Sequence, residues 1–272
     1  MLLSSLLPIS PVTSFIIMLC FWGHIIPVTF QFSITTLRKQ QIHDVLNPPF
    51  LTLITPEGCA AFPQDQQLFL ISKIEAALEG GVAIVQLRDK SSSHQQRVAF
   101  GKKIRSIVQP NKAFFIINGD IQAAIECKAD GIHLPEVQIA QILEDRDNLN
   151  RNFQIIGCSV HSPMAALLAQ KANTDYLIVG TMFPTNSHPG KIPEGPKLIA
   201  EINRSLLSNA EDKQKAIDRP LICAVGGITE ENCAEVIEMG ADGVAMISTL
   251  VESTSPCSVA QSIITQLQLN RR

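Results

Sequence analysis

The feature that most constrains this chain is a series of eight short apolar runs that do not alternate with polar residues. They are FLTLIT (Phe50–Thr55), VAIVQL (Val82–Leu87), AFFIIN (Ala113–Asn118), GIHL (Gly131–Leu134), FQIIGCS (Phe153–Ser159), DYLIVG (Asp175–Gly180), LICAVGG (Leu221–Gly227) and GVAMIS (Gly243–Ser248). A strand with one wet face alternates. A strand apolar at nearly every position must be covered on both faces, which is the condition of a parallel sheet inside a layer of helices. The intervening stretches carry helical spacing. Ile71, Ile74 and Leu78 end at Gly80-Gly81, and Leu198, Ile199, Ile202 and Leu206 form a second apolar face. Thr229 reads as an N-cap, with Glu230 and Glu231 in the first turn where the helix dipole favours them. Cys233, Val236 and Ile237 then line the buried face of that helix up to Gly240, and Val259–Leu269 reads as the last helix. Eight β-then-α units predict an α/β fold, a (β/α)8 TIM barrel built as a single domain. The rival, an open doubly wound sheet, lacks its GxGxxG fingerprint after the first run.

Charge narrows the ligands. The chain of 272 residues has 22 Lys and Arg against 25 Asp and Glu, a net charge of −3, and no basic stripe. Nucleic acid is excluded as a main partner, and a phosphorylated ligand must be held by a few placed groups. Cys20, Cys59, Cys127, Cys158, Cys223, Cys233 and Cys257 include no CxxC pair and are odd in number. This argues against a disulfide framework or a cysteine-rich zinc site and fits a reducing, cytoplasmic compartment. Residues 1–47 stand apart as an extra apolar N-terminal segment ahead of a barrel over 48–272, since no Asp, Glu, Lys or Arg precedes Arg38. Two readings stay open for Ser14–Phe30. It is a membrane anchor with Arg38 and Lys39 on the cytoplasmic side, or an unstructured extension interrupted by Gly23, His24 and Pro27.

In a barrel of this kind chemistry sits where strands end and βα loops begin. The second run ends in Gln86, Arg88 and Lys90, an amide and two cations on one face, suited either to a phosphate or to a solvated strand end. The third ends in Asn118-Gly119-Asp120. The fifth ends in Ser159 and His161, the latter able to titrate near neutral pH. The sixth runs into a long loop, Gly180–Gly190, rich in Pro and hydroxyl residues, a candidate substrate loop or an exposed turn. The seventh and eighth end in Gly226-Gly227 and Ile247-Ser248, the loops that commonly hold phosphate through backbone N–H groups in this fold.

The ordered set LTLIT, QLRDK, IINGD, ADGIHL, IIGCSVHS, DYLIVGTMFPT, AVGGITEEN and GADGVAMIS resembles the thiamine phosphate synthase/TenI family from about Phe50 to the C-terminus. For a synthase the resemblance implies that a hydroxymethylpyrimidine diphosphate is joined to a thiazole phosphate, with pyrophosphate leaving first and the thiazole nitrogen capturing the cation. It implies that Gln86, Arg88, Lys90, Asn118 and Ser159 handle the pyrimidine diphosphate. Thr185 and Ser187 would lie near the thiazole phosphate or the pyrophosphate, and Gly226, Gly227, Ile247 and Ser248 would hold the thiazole phosphate. Two carboxylates that would bind Mg²⁺ in the synthase are replaced here by Gly119 and Gln138, and an expected lysine by His188. The expectation is therefore a TenI-like barrel, with His161 as acid/base in a thiazole tautomerase-type proton transfer and no metal ligands. The alternatives are a synthase, which would need Mg²⁺, and a non-catalytic regulator that binds thiazole or thiamine phosphate. Phosphorylated thiazole and pyrimidine molecules are the expected partners, and the chain is compatible with a homo-oligomer.

Overall fold

All eight apolar runs form parallel strands: β1 (Phe50–Ile54), β2 (Ile84–Leu87), β3 (Phe114–Asn118), β4 (Gly131–Leu134), β5 (Ile155–Val160), β6 (Tyr176–Val179), β7 (Leu221–Val225) and β8 (Gly243–Met246). In the computed structural model, which describes residues 34–185, 190, 192–208 and 219–271, they pair in chain order and β8 returns to β1, closing a (β/α)8 barrel. Before β1 lies α1 (Ile34–Leu46). Outside the strands run α2 (Gln64–Glu79), α3 (His94–Val108), α4 (Ile121–Glu126), α5 (Ile139–Glu144), α6 (Arg146–Asn152) and α7 (Pro163–Lys171). They are followed by α8 (Lys197–Ser208), α9 (Cys233–Glu238), α10 (Ser248–Val251) and α11 (Pro256–Asn270).

The runs are continuous because alternate residues serve two cores. Leu51, Leu53, Val85, Leu87, Phe115 and Ile117 pack outward under the helices. Phe50, Ile54, Ile84, Phe114, Ile116, Ile155 and Ile178 fill the barrel interior. Ile42 and Leu46 of α1 join the inner core, so this part of the segment read as a leader packs with the barrel. The run Ser14–Phe30 lies outside the described residues, and among those described no helix is long and apolar enough to cross a membrane.

The amino-terminal end is fastened by a repeated device. Asp130, Asp175 and Asp242 each precede an even-numbered strand, and each accepts the backbone N–H of a residue on the strand before it. Phe115 N donates to Asp130 at 2.8 Å, Ile156 N to Asp175 at 2.7 Å and Ile222 N to Asp242 at 2.8 Å. An arginine backs each carboxylate: Arg105 at 2.6 Å, Arg146 at 3.7 Å and Arg219 through two bonds of 2.6 and 2.9 Å. The opposite end is left to the βα loops. There one expected boundary moves: α9 starts at Cys233 rather than after Thr229. Asn232 folds back instead, its Oδ1 accepting from Thr229 N at 2.8 Å and its Nδ2 donating to Gly227 O at 2.9 Å. The side chain that stabilises this turn lies after it, and it shapes the glycine loop rather than capping the helix.

Candidate active site at the carboxyl end of the barrel

The floor of the mouth is a line of polar groups. Gln86 is buried to 1% exposure at the inner end of β2, and its Oε1 accepts from Asn118 Nδ2 of β3 at 3.3 Å. Its Nε2 donates to the Tyr176 hydroxyl at 3.4 Å. Tyr176 Oη meets His133 Nδ1 at 3.0 Å, and His133 Nε2 meets Ser159 Oγ at 2.9 Å. Three residues expected from the strand ends, Gln86, Asn118 and Ser159, are thus brought together. Two that strand-end reasoning passed over, His133 and Tyr176, connect them. Their signal was present in the sequence, since a His in GIHL and a Tyr in DYLIVG are polar groups inside fully buried runs, and such groups need partners. Burial, with the Arg88 charge nearby, pushes His133 down to about 3, so its imidazole is neutral. Burial likewise holds the Tyr176 phenol well above its ordinary value.

Past β2 the chain turns sharply. Asp89 is buried and anchors the turn, accepting from Ala60 N at 2.8 Å, Ser92 N at 2.9 Å and Ser92 Oγ at 2.7 Å. Burial alone would raise this carboxyl, but those hydrogen bonds hold it below the usual range. Arg88 is partly exposed and pairs with Glu57 at 3.3 Å, while Lys90 is exposed and gives its backbone N–H to Glu57 at 2.6 Å. Gln86 and Arg88 therefore lie at the interior and its rim, and Lys90 lies beyond it.

His161 sits at the surface after β5, its side chain 47% exposed. Its backbone N–H donates to Glu136 at 2.7 Å and its Nδ1 lies 3.5 Å from Glu194. Glu194 also accepts the backbone N–H of Thr181. His161 is thus held at the edge of the mouth, its backbone on one carboxylate and its ring beside another.

The other half of the mouth is made of backbone. Gly226 (φ +103°) and Gly227 (φ +63°) take conformations that side chains rarely adopt. A Cβ on Gly226 would stand 2.5 Å from Thr181 Cγ2, and one on Gly227 would stand 2.4 Å from Pro184 O. The segment leading to Thr185 therefore runs directly over the glycine loop. Thr249 Oγ1 donates to Ile228 O at 2.9 Å, which draws Ile247 and Ser248, at the start of α10, against that loop. Ser187 and His188 lie outside the described residues.

The residues at the two replaced carboxylate positions do not fit a Mg²⁺ site. Gly119 (φ +79°) has open space beside it and no donor atom. Gln138 offers a neutral Oε1, buried and without a hydrogen-bond partner. Asp120 is engaged as the N-cap of α4, accepting from Ala123 N at 2.9 Å, and in ion pairs with Arg97 at 2.8 Å and His94 at 3.0 Å. Among the described residues no three His, Cys, Asp or Glu side chains are grouped to hold a metal ion.

Comparison with known proteins agrees with this barrel along its length. The family described as thiamine monophosphate synthase (TMP-TENI) matches residues 51–250. The thiamine-phosphate synthase of Chlorobium limicola is 35% identical over 223 residues, covering 82% of this chain and 95% of that protein. The thiamine biosynthesis bifunctional protein ThiED of Geobacter sulfurreducens is 37% identical over 203 residues, which are 75% of this chain but 38% of that protein. Among solved structures, thiamine phosphate pyrophosphorylase from Pyrococcus furiosus superposes with a TM-score of 0.63 at 25% identity, covering 84% of this chain and 98% of that one. With a barrel closed in chain order, a glycine loop after β7 and a family match over most of its residues, the chain belongs to the thiamine monophosphate synthase (TMP-TENI) family, a family of thiamine biosynthesis.

Proposed function

We propose that this barrel joins a hydroxymethylpyrimidine diphosphate to a thiazole phosphate, forming thiamine phosphate and releasing pyrophosphate. The observation that carries the reading is the pairing, at one end of one barrel, of a side-chain wall with a backbone loop. Gln86, Asn118, Ser159 and Arg88 form the wall, and Gly226-Gly227 with Ile247-Ser248 forms the loop. The first suits a heteroaromatic ring carrying a diphosphate and the second a phosphate monoester. Relatives named thiamine-phosphate synthase at 31–35% identity support condensation over the proton transfer expected for His161. In the reaction the methylene C–O bond breaks and its electron pair leaves with pyrophosphate. The thiazole nitrogen lone pair then forms the new C–N bond. Arg88, at the rim, is the cation on hand for the leaving group, and no step is assigned to a metal, since the residues at the two replaced carboxylate positions do not fit one.

The test is to incubate the full chain with both substrates, with and without Mg²⁺, and to measure thiamine phosphate. Product formation is expected, and its absence under both conditions would refute the reading. Retained condensation by His161→Ala is expected. If instead the wild type isomerises a thiazole carboxylate phosphate and His161→Ala does not, proton transfer takes its place.

A further inference from the structure

The polar line on the barrel floor has a direction. Strand register sets His133, Gly157 and Tyr176 side by side on β4, β5 and β6. The middle position is glycine, and a Cβ there would stand 2.2 Å from Tyr176 Cε1 and Cζ. The Tyr176 ring therefore lies across Gly157 and brings its hydroxyl to His133 two strands away, the two rings 5.4 Å apart and tilted by 40°.

The Tyr176 oxygen receives the Gln86 N–H, so its own hydrogen needs an acceptor, and His133 Nδ1 is within reach. In that arrangement His133 carries its hydrogen on Nε2 and donates it to Ser159 Oγ. The reverse arrangement, with hydrogen on Nδ1, would leave a buried phenolic hydrogen without an acceptor and is the costlier one. The low value of His133 agrees, because a neutral ring has one donor and one acceptor nitrogen.

We infer that Tyr176 and His133 are positioning residues whose one-way run of hydrogen bonds, from Asn118 and Gln86 to Ser159, fills one lone pair of the Ser159 oxygen and turns its hydroxyl hydrogen away from His133 toward an acceptor atom of the bound substrate. This rests on reading the barrel mouth as the substrate site. It adds a selection rule: with its hydrogen kept from His133, Ser159 favours a ring nitrogen or phosphate oxygen with a free lone pair at that point. A substrate lacking that acceptor leaves the hydroxyl hydrogen unpaired, and a site built to hydrogen-bond its substrate discriminates strongly against such an analogue.

The experiment observes the His133 ring nitrogens of the ¹⁵N-labelled full chain by long-range ¹H–¹⁵N NMR at pH 7, with the signals assigned by their loss in His133→Asn. The wild type should show a single Nε2–H tautomer. In Tyr176→Phe the two tautomers should mix, and the Kd for hydroxymethylpyrimidine diphosphate should rise about tenfold. That penalty should vanish when Ser159→Ala is already present, as a shared path requires. An Nδ1–H or doubly protonated ring in the wild type, an unchanged tautomer in Tyr176→Phe, or additive losses in the double variant would each overturn the inference. The tautomer is read without substrate. If it is as stated while no thiamine phosphate is formed, the proposed reaction fails and the relay stands.

Discussion

Substituting Gly157 by alanine tests whether the barrel floor is built around Tyr176. The added methyl would lie 2.2 Å from Cε1 and Cζ and 2.7 Å from Cδ1 of that ring. Ordinary carbon contacts are about 3.5–4.0 Å, so the ring must retreat by about 1.5 Å. Such a shift exceeds what the 3.0 Å bond to His133 can absorb. Overpacking of a buried site costs about 1–3 kcal/mol. Leaving a buried hydroxyl and an imidazole nitrogen unpaired adds about 1–3 kcal/mol. The sum is about 4 kcal/mol, and for a protein of this size about 2–4 °C is lost per kcal/mol, so the melting temperature should fall by about 8–16 °C. Urea titration should show a lower midpoint with the slope unchanged. Tyr176→Val, which vacates the contested space, should make the alanine nearly silent in the double variant. A Gly157→Ala protein within about 0.5 kcal/mol of wild type, a size typical of surface changes, would refute the claim that this glycine exists to seat the tyrosine.

Three further outcomes follow from the same geometry. Asp130→Ala should cost about 3 kcal/mol in urea unfolding, since it strips Phe115 N–H of its acceptor and leaves Arg105 unpaired, and a loss under 1 kcal/mol would deny the strand-fastening role. Gly227→Ala should fold yet lose at least about tenfold in thiazole phosphate affinity by calorimetry, because φ +63° and the 2.4 Å approach to Pro184 O leave no room for a side chain without moving the loop. His94 is raised chiefly by its hydrogen bond to Asp120 and then by that to Glu126. Its stabilising effect is therefore present below the ordinary histidine value and fades as pH rises through the raised one. The stability gap between wild type and His94→Ala should be larger at pH 6 than at pH 9, and an equal gap at both would remove His94 as the source.

The barrel was legible because double burial leaves an unmistakable mark: a strand such as VAIVQL feeds Val85 and Leu87 to the outer core and Ile84 and Gln86 to the inner one, so no polar alternation survives. The ends of elements were less so. Thr229 has the residue type of a cap, but Asn232 wins the competition for the loop's backbone groups by bonding both Thr229 N and Gly227 O. Gln86, Asn118 and Ser159 could be read from the strand ends because each is the inward-facing polar residue nearest a loop. His133 and Tyr176 announced only that they need partners, because which partners they meet depends on cross-strand register, a relation between segments 43 residues apart. Helix α1 was hidden for a similar reason: among its described side chains the hydrophobic ones in the inner core are Ile42 and Leu46, too sparse a stripe to stand out beside the apolar run before it.

The two halves of the mouth differ in what can change without loss. On the proposed reading the glycine half holds its ligand with backbone, so its demand on sequence is steric: Gly226 and Gly227 must remain small, while neighbours such as Ile247 and Ser248 contribute through position rather than side-chain chemistry. The β2–β6 half presents side chains connected in series, so a change at any one of them alters what the rest can donate. The replaced carboxylates fall outside both. Gly119 and Gln138 lie in the loops after β3 and β4, and neither takes part in the polar line or the glycine loop. In the proposed reaction, substitution there alters how the charge of the leaving diphosphate is met while leaving the groups offered to the ring and to the phosphate monoester untouched. Placing aspartate at both positions therefore isolates that one step: a rate that becomes dependent on Mg²⁺ with substrate affinity unchanged would locate the divergence of this chain in leaving-group chemistry alone.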